Sequence, residues 1–306
     1  MIWSFSSYRQ FLKCPRQWFY KNIFANSVTK DPLRKEAFYL SQAKSISAWR
    51  GDVVDKSISN FILKKIVNKR QVDGNEAVEY ARSLCRKQFD FAKTKQYRNG
   101  LTKKVVGDGY CVLYSFEYDI AVSNDELKTA WDEIECAIMN FLGNQDLNAQ
   151  LSEASILISQ RPLMFSINGV RVRGVPDLIA FYKDEPPRIF DWKVHAFGTK
   201  TYGQQLSVYA LALARSNRHS DFPINAQYKA EEIKVSEYQL LLNVMRDYEF
   251  DVESTTETEE FIAESILEME LEGANKKLQD TTSDDFQTTR FPENCQTCAF
   301  KKICWE

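Results

Sequence analysis

From residue 156 to residue 193 the chain reads as five short strands joined by tight turns, and this run limits the fold more than any other part of the sequence. The segments ILISQ, LMFSI, VRVRG, DLIAFY and RIFDWKV are rich in β-branched and aromatic residues and alternate in polarity. Asn168-Gly169 predicts a two-residue type I′ hairpin turn, because both central positions of that turn need positive φ, which Asn and Gly accept most readily. Asp184-Glu185-Pro186-Pro187 predicts a second turn. A sheet therefore begins near residue 154. Asp177, Asp191 and Lys193 do not fit it, since each sits within a segment that otherwise reads as buried strand.

Helices surround the sheet in sequence. Residues 35–147 carry apolar side chains at three- and four-residue spacing, clearest in VVDKSISNFILKKIV and LKTAWDEIECAIMNFL. Ser6 and Ser7 suit the N-cap of a short helix bearing Tyr8, Phe11 and Leu12, which Pro15 interrupts just after Cys14. A second helix runs through Trp18, Phe19 and Tyr20. Further helix is predicted from about Tyr202 to Arg215, then strands between Ile224 and Phe250. An acidic amphipathic helix over 254–279 follows, with Phe261, Ile262, Ile266, Leu267 and Met269 on its buried side. The class is α/β: a central mixed sheet flanked by helices, with a large helical N-terminal region.

At 306 residues and 44% hydrophobic content, the chain can support one large or two modest cores and is too apolar to be disordered. No apolar run reaches the roughly 18–20 residues that cross a bilayer, and the first residues lack the layout of a signal peptide. The expectation is a cytoplasmic protein with no membrane partner. Charge is uneven: residues 1–110 hold 22 Lys and Arg against 9 Asp and Glu, the remainder 18 against 33. A basic half suits a polyanion, although a solvated helical surface gives the same counts.

Seven cysteines in a chain read as cytoplasmic point to metal binding or burial rather than disulfides. Cys85, Cys111 and Cys136 stand alone and read as inert core thiols. Cys14, Cys295, Cys298 and Cys304 form a pattern of one N-terminal cysteine and three near residue 300.

Side chains two apart in a strand share a face, so Asp191 and Lys193 project together and Trp192 points the other way. If the strand before the Pro186-Pro187 turn pairs antiparallel, Asp177 comes alongside them. Two carboxylates a few ångströms apart repel unless a cation sits between them, and oxygen-only ligation suits Mg²⁺ or Mn²⁺. Surface ion pairs with Arg171, Arg173 or Lys193 would account for the same acids. Gln205 and Tyr209, four apart, lie on one face of the predicted helix and can reach the end of the Asp191 strand.

Gly174 to Asp177, Asp191 to Lys193 and Gln205 to Tyr209 occur in the order of the Gly-x-x-Asp, Asp-x-Lys and Gln-x-x-x-Tyr motifs, and the chain resembles the RecB-family nucleases of the PD-(D/E)XK superfamily. The opening Cys14-Pro15-Arg16 and the late Cys-x-x-Cys resemble the iron–sulfur branch of that family, which includes AddB-type and CRISPR-associated RecB-like nucleases. The resemblance implies one restriction-endonuclease-like domain over 1–306, with a core at 151–250, a helical insertion at 60–150, and residues 14 and 295–304 joined as a cluster-binding region. It implies a metal-dependent DNA exonuclease acting on single strands or duplex ends. Asp55, Asp177, Asp191 and the Trp192 carbonyl would be Mg²⁺ or Mn²⁺ ligands, and Lys193, Gln205 and Tyr209 would complete the catalytic set. Where the family has His four residues after a Gly, this chain has Asp55 after Gly51. The four cysteines would carry a [4Fe–4S] cluster, with Zn²⁺ as the other occupant. DNA is the expected partner, with protein partners in a repair, phage or CRISPR-adaptation complex. An inactive DNA-binding or assembly subunit and a zinc-stapled interaction module are the competing functions. Gly198-Thr199-Lys200-Thr201 lacks the full phosphate-loop pattern, so no ATP site is expected, and Lys200 is at most a phosphate contact.

Overall fold

The computed structural model describes residues 1–195, 202–224, 227–272, 276–277 and 280–305, so the Gly198–Thr201 segment lies outside the described residues. The strands used below are β1 (Ile156–Ser159), β2 (Leu163–Ile167), β3 (Val170–Gly174), β4 (Leu178–Phe181), β5 (Arg188–Lys193), β6 (Lys234–Gln239) and β7 (Val244–Tyr248). The helices used below are α1 (Phe5–Lys13), α2 (Pro15–Phe19), α3 (Ile46–Ser57), α4 (Gly74–Lys93), α5 (Asn124–Gly143), α6 (Tyr202–Arg215) and α7 (Val252–Glu272). Ser4, rather than Ser6 or Ser7, caps α1 by accepting the Ser7 N–H, because Phe5 and Tyr8 must both turn inward.

The chain divides into two compact units, one of residues 47–85 and 123–261, the other of 1–46, 86–122 and 262–306. Residues 60–150 are thus shared between them.

The first unit holds a five-stranded sheet in the order β7-β6-β5-β4-β1. β4 pairs antiparallel with β5, Leu178 opposite Phe190, and with β1, Leu178 opposite Ser159. β6 pairs antiparallel with β7 but parallel with β5. A parallel pair cannot be closed by a hairpin, so the connection from β5 to β6 is a long crossover, and it carries α6. Every side chain of β4 is buried, which accounts for its continuous apolar run. β2 and β3 form a separate hairpin in which Asn168 and Gly169 take φ of 49° and 78°, the predicted type I′ geometry. On α5 the stripe Ala130, Ile134, Ala137, Ile138 and Phe141 is buried, and Cys136 falls off that stripe and is exposed instead of being a core thiol.

The second unit brings the two ends of the chain together. The Arg16 peptide N–H donates to Gln287 O at 3.0 Å, and its side-chain Nε–H to Phe286 O at 3.0 Å. Trp18 and Phe19 pack on Phe286, and Tyr20 stacks on Phe300 and donates to Ile303 O. A satellite core of Phe91, Tyr97, Tyr110 and Val112 lies in the same unit. Glu117, buried there, is held by the Arg98 guanidinium and the Tyr97 hydroxyl. Leu12 and Leu267, expected on buried faces, are each 56% exposed, since their helices turn only a narrow stripe inward. Among the described residues no helix is long and apolar enough to cross a membrane.

Candidate active site

Asp177 lies just before β4, Asp191 and Lys193 within β5, and the antiparallel register carries Asp177 up to the Asp191 end of its neighbour. The Trp192 peptide N–H donates to Asp177 Oδ2 at 2.9 Å. Lys193 Nζ is 2.5 Å from Asp191 Oδ2 and donates to Gln205 Oε1 at 3.3 Å. Gln205 Nε2 donates in turn to the Tyr209 hydroxyl at 2.6 Å, so the two residues four apart on α6 do share a face and do reach β5. Tyr209 also packs beside Gly174, where an added Cβ would lie 3.2 Å from Tyr209 Cδ1 and 3.3 Å from Ala212 Cβ. The glycine of the Gly-x-x-Asp strand is therefore a close-approach position.

Asp55, on α3, joins from the side that Trp192 faces: the indole N–H donates to Asp55 Oδ1 at 3.3 Å. One residue that no pattern in the sequence singles out ties the acids together. Gln160 Nε2 donates to Asp55 Oδ1 at 2.8 Å and to Asp177 Oδ1 at 2.9 Å, and the Gln160 peptide N–H donates to Asp177 O at 3.0 Å. Gln160 adopts φ +53°, a left-handed conformation uncommon for a residue with a long side chain.

These acids are short of positive charge. Burial pushes the Asp55 carboxyl up to about 6, and the Asp52 charge adds to this. Asp177 is held well above the usual carboxylate range by burial and then by the charges of Asp191 and Asp55. Asp191 is raised by burial against the pull of Lys193. Tyr209 is raised by burial and by the charges of both aspartates, so it is a neutral hydroxyl. Among the described residues no three His, Cys, Asp or Glu side chains close into a metal cage. The chemistry of the set still suits a hard divalent cation, since the side-chain donors of Asp55, Asp177 and Asp191 are all oxygen.

A family model of the PD-(D/E)XK nuclease superfamily matches residues 2–305. The chain belongs to that superfamily. As a PD-(D/E)XK nuclease it has the restriction-endonuclease-like mixed α/β fold expected of it, and nucleases of this type typically use Mg²⁺ or Mn²⁺. No curated protein matches the sequence. Among solved structures, SSO0001 is similar at 14% identity over 62% of this chain and 78% of its own, with a TM-score of 0.29. A candidate exonuclease from Eubacterium rectale is similar at 11% identity over 83% of this chain and 89% of its own, with a TM-score of 0.35.

Cys14, Cys295, Cys298 and Cys304 of this nuclease are all free thiols of the second unit. Burial pushes the Cys298 thiol up to about 11, and the nearby Cys14, Cys304 and Cys295 add to this. Cys304 is raised by burial as well, with Arg16 opposing. The Gln17 and Phe300 peptide N–H groups point at the Cys14 and Cys298 sulfurs, each at 3.4 Å.

Proposed function

We propose that the chain is a RecB-type, divalent-metal-dependent DNA exonuclease acting on single strands or duplex ends, in which Asp55, Asp177, Asp191 and the Trp192 carbonyl hold the cation. The observation that carries this is the convergence of Asp177, Asp191 and Lys193 on one end of the sheet, with Asp55 linked to Asp177 through Gln160. When bound, the cation supplies Lewis acidity and an acidified water. Lys193 offsets charge that grows on the phosphoryl oxygens. Gln205 fixes the Lys193 ammonium, and the neutral Tyr209 hydroxyl fixes Gln205. The basic residues of the first 110 positions suit a phosphate backbone.

The four cysteines, in this proposal, carry a [4Fe–4S] cluster that clips the chain ends together, with Zn²⁺ as the competing occupant. Support comes from the electrostatic proximity of Cys298 to the other three thiols and from the two peptide N–H groups aimed at sulfur. A cytoplasmic role beside protein partners in a repair, phage or CRISPR-adaptation complex accords with the same reading.

The test is degradation of end-labelled single- and double-stranded DNA by anaerobically purified protein with Mn²⁺, beside Asp191→Ala and Lys193→Ala. Loss of cleavage in both variants supports the assignment. Equal cleavage by all three proteins identifies a contaminant and ends it, and a metal-independent DNA binder without cleavage favours the assembly-subunit function.

A further inference from the structure

Next to these acids, β6 carries a polar pair that the proposed chemistry does not use. The parallel register sets Glu237 beside Asp191 and Gln239 beside Lys193, and in such a pairing residues in register project to the same face. Both side chains are buried, at 0% and 1% exposure. Gln239 Nε2 donates to Glu237 Oε1 at 2.5 Å, which leaves Gln239 Oε1 as a buried acceptor without a hydrogen-bond partner among the described residues. From β7, the Tyr248 hydroxyl donates to Glu237 Oε2 at 3.3 Å, and the half-exposed Arg246 stands 3.7 Å from Oε1.

An ordinary central strand has no use for this arrangement. A buried carboxylate whose ion-pair partner is a half-exposed arginine at 3.7 Å keeps the capacity to take a second cation, and a buried carbonyl without a hydrogen bond is a standing cost. Both residues lie on the sheet face that carries Asp191 and Lys193. That ammonium rests on Asp191, with its side chain only 15% exposed. A divalent cation that draws the Asp191 carboxylate to itself weakens the Lys193–Asp191 ion pair.

We propose that Glu237 and Gln239 are positioning residues for Lys193: they take up the ammonium when Asp191 turns to the cation, and keep it over the same end of the sheet. This rests on the reading of Asp191 as a cation ligand given above. In this proposal both residues act through Lys193 and neither is assigned a contact with substrate or cation.

The test uses the full chain as Glu237→Gln and Gln239→Leu beside wild type and Asp191→Ala. The first readout needs no activity: acylation of the Lys193 amine, followed by mass spectrometry in EDTA and in Mg²⁺. Wild-type Lys193 stays protected in both, whereas in Glu237→Gln it is protected in EDTA and acylated about fivefold faster in Mg²⁺. In the second readout, Mn²⁺-dependent cleavage, Glu237→Gln lowers kcat about tenfold and leaves KM for DNA and the half-saturating Mn²⁺ within about twofold. Gln239→Leu shifts both readouts the same way by a smaller factor, which keeps the inference testable if Glu237→Gln does not fold. Equal Lys193 acylation in Mg²⁺ for wild type and both variants overturns the positioning role whatever the activity. A Glu237→Gln defect in Mn²⁺ saturation makes Glu237 a ligand and overturns it too. Lys193 protection that depends on Glu237 in Mg²⁺ but not in EDTA, in a chain with no Asp191-dependent cleavage, upholds the positioning role and overturns the nuclease reading instead.

Discussion

The Trp192 peptide N–H donates to the Asp177 carboxylate at 2.9 Å, so the backbone of β5 fixes the orientation of an acid carried by the neighbouring strand. Orientation and charge can therefore be separated. Asp177→Asn retains an oxygen to accept that N–H while removing one of several mutually repelling charges. Relief of repulsion is offset by the Gln160 amide, which then faces an NH2 in place of a carboxylate oxygen, so in EDTA the variant is expected to melt within about 2–4 °C of wild type, roughly 1 kcal/mol for a chain of this size. Mn²⁺-dependent cleavage falls by about a thousandfold. Calorimetry and the end-label assay read the two effects, and a variant that is inactive and melts below that range contradicts the separation.

Gln160→Met removes the amide shared by Asp55 and Asp177 at similar volume. In EDTA the variant is expected to lose about 1–3 kcal/mol, because both carboxylates lose a buried donor. Saturating Mn²⁺ recovers most of that loss. Urea titrations with and without Mn²⁺ measure it, and a deficit that the metal leaves unchanged rules out the shared-donor role.

Gly174→Ala places a Cβ 3.2 Å from the Tyr209 ring and 3.3 Å from the Ala212 methyl. The methyl is fixed to the α6 backbone and cannot turn aside, so the helix must shift. The expected loss is about 1–3 kcal/mol, together with reduced kcat as Gln205 leaves Lys193. Unchanged stability and turnover would show the contact to be slack.

The pH dependence of stability follows from Asp55. Its carboxyl holds a proton up to about pH 6 in the folded chain, against 3.8 ordinarily. A raised acid favours folding fully below its unfolded value and loses that contribution as pH rises through the folded one. In EDTA, wild type is thus expected to lose stability from about pH 4 to pH 7 more steeply than Asp55→Asn. Denaturation midpoints across that range decide it, and parallel curves refute it.

Anaerobically purified protein that is brown, absorbs near ~400 nm and contains about four iron atoms per chain carries the cluster; colourless protein with one zinc carries the alternative. Cys298→Ser is expected to abolish either metal. Metal analysis of the purified chain and the variant is sufficient, and metal-free wild type removes both.

The polar residues legible in the sequence are those that break a clear period. Asp177, Asp191 and Lys193 interrupt apolar strands, and Gln205 with Tyr209 keeps helical spacing, so each stood out from its surroundings. Gln160 did not, because its role depends on a positive φ that only Gly, Asn or Asp would have advertised. Glu237 and Gln239 were hidden in KVSEYQ, which reads as an ordinary alternating strand. Only the β5–β6 register, set by a crossover no local pattern encodes, brings them beside Asp191 and Lys193. Cys136 is exposed because a helix buries a stripe of its length rather than all of its apolar residues.

The turn at Asp184–Pro187 closes β4 and β5 at the end opposite the acids, and Lys183, Asp184 and Glu185 are exposed there. That corner is a natural attachment point: a peptide tag or fluorescent reporter spliced between Lys183 and Glu185 would hang in solvent about a strand's length from the carboxylates. It would allow the protein to be immobilised or followed during turnover with the reacting end of the sheet left clear.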